Sequence, residues 1–149
     1  MAILAAVSEH ERSKQVISVA NDLATAYDDT LVALHVVPND DYDAHRRAIE
    51  EIPGFQDFSV SQEVESAKKF ASEMVLETLG DVDAERFDPR GRVGDVSSEI
   101  LKEVDAVDPR YLVISGRRRS PAGKAVFGNT AQQLLLSADC PVVSKLTDQ

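Results

Sequence analysis

Five short strand-like runs separated by four stretches of helical periodicity constrain this chain more than any other feature. The first run, Ala2-Ile3-Leu4-Ala5-Ala6-Val7, is apolar at every position, so both faces of a strand built from it must be covered. After a polar link from Ser8 to Ser13, Val16, Val19, Ala20, Leu23, Ala24 and Tyr27 recur at helical spacing, and Asp28-Asp29 ends that helix. Thr30 to Val37 is β-branched, nearly unbroken in hydrophobicity and closed by Pro38. Residues 38–59 are polar and acidic, carry Pro53-Gly54 and lack convincing periodicity, so a long loop is expected there.

A second helix is predicted through Val60, Val64, Ala67, Ala71, Met74, Val75 and Thr78, ending near Gly80. Arg86 to Val93 forms a short polar candidate strand closed by Gly94. Asp95 then caps a helix bearing Val96, Ile100, Leu101 and Val104, which Pro109 stops. Tyr111 to Gly116 reads as a fourth strand. A helix follows with Phe127, Thr130, Ala131, Leu134, Leu135 and Ala138 facing inward. Pro141 to Ser144 is a last strand, its proline suited to a start or an edge. This alternation predicts an α/β domain: a parallel sheet with helices on both faces, joined by right-handed crossovers.

At 149 residues the chain fits one domain, residues 1–149. No apolar run is long enough to span a membrane. The opening MAILAAVSEHE lacks a basic region before its apolar run, so no secretory leader is expected. The lone Cys140 predicts no internal disulfide and a small packing role, and the setting expected is cytoplasmic.

Twenty-six acidic against sixteen basic residues give a net charge of -10, which argues against a nucleic-acid partner. The acids are mostly Asp (15 of 26) and the bases include only 6 Lys, a surface that stays hydrated in concentrated salt; a halophilic setting is expected.

Ligands of open parallel sheets bind beyond the carboxyl ends of the strands, where strand order reverses. The segments to inspect are therefore Ser8 to His10, Val37 to Asp41, Gly94-Asp95, and Gly116 onward. The last holds Arg117, Arg118, Arg119 and Lys124 within eight residues of an otherwise acidic chain. It lies between a strand end and a helix start, where free backbone N–H groups favour an anion. Gly128, Asn129 and Thr130 add close backbone approach and donors suited to phosphate oxygens. The bland alternative is that these arginines only balance nearby carboxylates.

The chain resembles the universal stress protein A family along essentially its whole length. The resemblance is carried by Ile3 to Val7 with Ser8-Glu9-His10 after it, by Leu34-His35-Val36 and by Gly94. It is strongest at Leu112 to Arg117, continued by Phe127-Gly128-Asn129-Thr130-Ala131 and Cys140-Pro141-Val142-Val143. It implies a Rossmann-like five-stranded parallel sheet of order 3-2-1-4-5, similar to adenine nucleotide alpha hydrolases. It also implies a homodimer paired through the last strand, with Pro141, Val142, Val143, Ser144 and Lys145 at the interface.

ATP-binding relatives carry a glycine, two residues, a second glycine, nine residues, then a glycine followed by Ser or Thr. Gly116 and Gly128 match the outer glycines, Arg119 stands where the middle one belongs, the following spacer is one residue short, and Asn129 replaces the hydroxyl residue, with Thr130 next. The family's acidic residue after the first strand is missing, and Ser8 stands near its place. The resemblance therefore implies an adenine nucleotide, ATP with Mg²⁺ included, or another phosphate-bearing anion. Its site would be Ala6, Val7, Ser8, Val36, Ser115, Gly116, Arg117, Arg119, Gly128, Asn129 and Thr130. Arginine forks would take over part of the work of bare backbone amides. A dimeric interaction module without a nucleotide is the competing expectation.

No Gly-x-Ser-x-Gly elbow and no Gly-Lys-Ser/Thr ending occur, so no dedicated catalyst is expected, with slow ATP hydrolysis left open. His35 is read as a packing histidine. His10 is a secondary candidate for touching a base or phosphate. Asp40, Asp41, Asp43 and His45 read as a solvated acidic loop, and no metal site is expected. Chemical unfolding in dilute against molar KCl tests the halophilic expectation: stability should rise with salt, and indifference to it would remove the idea.

Overall fold

A computed structural model describes residues 1–51, 59–118, 125–126 and 128–147. Apolar runs give β1 (Ala2–Val7), β2 (Thr30–Pro38) and the first half of β4 (Tyr111–Arg118), while β3 (Phe87–Gly94) is polar, and β5 (Ala125–Val126) and β6 (Val142–Thr147) complete the strands. The helices are α1 (Ser13–Tyr27), α2 (Asn39–Glu50), α3 (Val60–Leu79), α4 (Val96–Val107) and α5 (Asn129–Ser137). The five longer strands are parallel in the order β3-β2-β1-β4-β6, the 3-2-1-4-5 arrangement when β5 is set aside. The two-residue β5 pairs antiparallel with the end of β4, an addition to the expected sheet.

Both faces of β1 are sealed, with Ile3 and Leu4, neighbours that point opposite ways, each 0% exposed. Ile3, Ala5 and Val7 pack under α1 and α3 with Val16, Ile17, Ala20, Ala71 and Val75. Leu4 packs on the other side with Leu34, Ile100, Val104, Leu112 and Leu134 beneath α4 and α5.

Helix ends follow local chemistry. Ser59 and Gln62 form a reciprocal capping box at the start of α3. Asp28 and Asp108, each in the left-handed conformation, close α1 and α4.

The structure corrects several expectations. Asn39–Glu50 is a helix, not part of a loop; Asp40 and Asp41 in its first turn and Arg47 in its last complement the helix dipole. Its few apolar side chains left no periodicity to read. Residues 52–58, with Pro53-Gly54, lie outside the described residues. Tyr27, expected in the buried stripe of α1, is 43% exposed, while Ile17, absent from that stripe, is fully buried. In α5 Thr130 and Leu135 face outward, while Leu134 is buried in the core with Ala131 and Ala138 packed against it as expected, because one short helix turns only one narrow face to the sheet. Phe127 lies outside the described residues. β4 runs past Gly116 to Arg118 because β6 continues to pair with it as far as Arg117. The last strand starts at Val142; Pro141 contributes only its carbonyl, which accepts from the Leu112 N–H at 3.0 Å.

Two ion-pair groups brace the sheet. Glu103, buried on α4, accepts from Arg90 at 2.8 Å and also from Arg92, tying α4 to β3. Buried Asp29 accepts from Arg110 Nε at 2.7 Å, and that hydrogen bond, against the opposing effect of burial, holds its carboxyl below the usual value.

Gly91, in register with His35, lets α3 lie directly on β3: a Cβ there would stand 2.4 Å from the Val64 carbonyl oxygen and 2.6 Å from the Lys68 nitrogen. Backbone cannot swing aside as a side-chain tip can. Gly91→Ala should therefore lower stability by about 1–3 kcal/mol, read from the midpoint of urea unfolding; an unchanged midpoint would refute the close approach.

Candidate functional site

The chain leaves β1 by way of α1 toward β2, and leaves β4 in the opposite direction toward β6. Between those diverging connections the described residues leave the carboxyl ends of the central strands uncovered. A crevice of about 510 Å³ opens there, within the range of small-molecule sites. β1 ends opposite His35, so from Val36 onward β2 projects past its neighbour and exposes a strand edge to the crevice.

One wall is apolar. Leu34, Val36, Ile100, Ile114 and Leu134 are all nearly or fully buried, with Ala6 and Val96 beside them. α4 carries Val96 into that wall because Asp95 caps it. The Asp95 carboxyl, held below its usual value first by the Ser98 hydroxyl, then by the Ser98 N–H and the Ser97 hydroxyl, accepts from Ser98 Oγ at 2.7 Å. The Ser97 hydroxyl also lies within hydrogen-bond reach of Gln133 Oε1, linking α4 to α5.

The opposite rim is polar. The Ser8 N–H donates to Ser13 Oγ at 2.9 Å, and the two serine hydroxyls lie 3.0 Å apart, folding the turn between β1 and α1. Arg12 reaches over that turn and its Nε donates to Ser115 Oγ on β4 at 3.2 Å. His35 Nδ1 lies 2.8 Å from the Val7 carbonyl oxygen; since a carbonyl only accepts, Nδ1 carries the proton. The ring packs against Phe70, with centroids 4.4 Å apart, so His35 is the packing histidine that its place in a strand predicted. On the β2 side α2 supplies Asp41 and His45, and His45 Nδ1 sits 2.7 Å from an oxygen of buried Glu63 on α3.

Of the residues named from sequence, Ala6, Val7, Ser8, Val36, Ser115, Gly116, Gly128, Asn129 and Thr130 all line the crevice, and so does His10. Arg117 continues β4 beyond Gly116, pairing with Val126 of β5 and Thr147 of β6. Arg119 and Lys124 lie outside the described residues. The acidic segment at Asp40, Asp41, Asp43 and His45 is helical, not a loop. Among the described residues no group of three or more His, Cys, Asp or Glu is placed to hold a metal ion. Cys140 is half-buried against the α4–α5 core, and burial pushes its thiol up.

Sequence reasoning missed Arg12, Asp41's helical setting, and the wall from Val96, Ile100, Ile114 and Leu134. The strand-end rule that pointed to Ser8 through His10 stopped two residues short of Arg12. The wall residues read only as core.

The Usp model, described as the universal stress protein family, matches residues 1–144. A universal stress protein of Mycolicibacterium smegmatis is 42% identical over 59 residues, a segment covering 39% of this chain and 45% of that protein, so the match spans under half of the relative's length. A solved universal stress protein in complex with cAMP superposes with a TM-score of 0.64 at 14% identity, covering 99% of this chain and 97% of that one. The universal stress protein of Archaeoglobus fulgidus in complex with dAMP gives a TM-score of 0.57 at 18% identity, covering 97% and 96% of the two chains. At such identities these likenesses speak for the fold.

Proposed function

Because the chain belongs to the universal stress protein family, we propose that it is a cytoplasmic regulatory protein that senses an adenine nucleotide in the crevice at the ends of β1, β2 and β4. The observation that carries this reading is the crevice's division into an apolar slot and a polar rim around two glycines. A flat base fits the slot against Val36, Ile100 and Ile114, with the open edge of β2 beyond His35 available to its polar edge. Gly116 and Gly128 allow phosphate oxygens close to the backbone, with Asn129 and Thr130 beside them at the start of α5. Solved relatives with cAMP and dAMP support the same ligand class.

The chain's role in this reading is not catalysis. Binding that favours one arrangement of the crevice walls shifts the population seen by partners. The competing module without a nucleotide draws support from Ser8, whose hydroxyl is already engaged by Ser13 where relatives carry an acid.

Isothermal titration with AMP, and with ATP and Mg²⁺, should give one saturable site. Val96→Trp, which fills the slot, should abolish it while leaving the thermal melt in place. No heat at millimolar concentrations of either nucleotide would refute the nucleotide reading in favour of the interaction module.

We further propose a homodimer through β6, which pairs with β4 along one edge and stands last in the sheet. Edge strands leave a row of backbone N–H and C=O groups open to pairing with another chain. Light scattering after size exclusion should give twice the chain mass of 16.3 kDa; a single chain mass at tens of micromolar protein would overturn the pairing.

A further inference from the structure

Glycine loops explain how a phosphate approaches the backbone, but not what supplies its counter-charge. Arg12, at the start of α1, reaches over the turn that follows β1 and hydrogen-bonds through Nε to Ser115 Oγ at 3.2 Å. Its guanidinium is thereby anchored across the fork between β1 and β4, one residue from Gly116. Among the described lining residues Arg12 is the one with a permanent positive charge. Asp41 and His45 stand on the β2 side with α2, Glu9 and His10 lie on the turn after β1, and Arg12, Ser115 and Gly116 stand on the β4 side.

We propose that Arg12 is the phosphate-recognising residue of this crevice, so that the site selects a nucleoside monophosphate over the same nucleoside without its phosphate. The proposal rests on the nucleotide reading above and adds to it a residue and a selectivity. Guanidinium forks match phosphate oxygens in pairs, and a charge-assisted contact in a partly enclosed site outweighs a neutral one. Ser115 acts as a positioning residue: its hydroxyl accepts from Nε and so holds the guanidinium beside Gly116.

The test is titration of AMP and of adenosine into the wild-type protein, Arg12→Ala and Arg12→Gln, with a thermal melt of each. The glutamine variant removes the charge while keeping a side-chain donor for Ser115, and is decisive if the alanine variant melts early. AMP affinity should fall about 10-fold to 100-fold, the span expected for losing hydrogen bonds to a charged group, while adenosine affinity stays within about twofold. Ser115→Ala should give a smaller loss, for AMP alone. Arg12 variants that bind AMP as well as the wild type does, or whose AMP and adenosine affinities fall together, would overturn the role of Arg12 and leave the crevice reading standing. A wild-type protein that binds neither ligand would overturn the nucleotide reading itself, and this inference with it.

Discussion

Burial of β1 on both faces is the constraint from which the rest follows. Ile3 and Leu4 point in opposite directions and neither touches solvent, so each side of the sheet must carry its own helical layer. α1 and α3 cover one side, α4 and α5 the other. A right-handed crossover reaches only one side of a strand at a time. The chain must therefore build outward from β1 in one direction and return to build from β4 in the other. Among the described residues that reversal leaves strand ends at the centre of the sheet with no connection over them, and the crevice is this gap.

What lines the gap is set by how each polar group near it is satisfied. The His35 ring is locked by the Val7 carbonyl and Phe70. Ser8 and Ser13 fold the turn before α1, and Asp95 and Ser97 fix the first turn of α4. His45 joins α2 to a buried carboxylate on α3. Partnered groups of this kind hold walls in place more firmly than apolar contact alone, because moving a wall leaves a buried polar atom unpaired. The chain's net charge of -10 makes the cationic Arg12 stand out inside it.

Away from the crevice, polar groups do structural work. Glu103 lies buried between Arg90 and Arg92, fixing α4 against β3, a strand whose residues are all only half-buried. Burying a carboxylate is costly, and a pair of cations offsets that cost only in one arrangement, which favours a single register over slippage. Gly91 complements this on the other face, where α3 rests directly on the strand.

The sequence by itself determined the class of fold. The apolar run at Ile3 to Val7 and the nearly unbroken one at Leu31 to Val37 demand cover on two sides, and the four core helices announced themselves by apolar spacing. It also located the loops that could bind, because strand ends follow from strand positions. Helix α2 was illegible, since its sequence Asn39 to Glu50 has too few apolar residues to show a period and is held by termini matched to its dipole and by contact with the sheet. The cluster of basic residues from Arg117 to Lys124 was conspicuous in composition, whereas Arg12 was not, being one arginine in a polar link. Only tertiary structure carried Arg12 across to Ser115, 103 residues along the chain, and only tertiary structure turned Ile100, Ile114 and Leu134 from core into a binding wall. The physical reason is that hydrophobicity acts locally, through which face of an element must be hidden. The joining of distant side chains around a gap depends on strand order and crossover direction, which no local window of residues encodes.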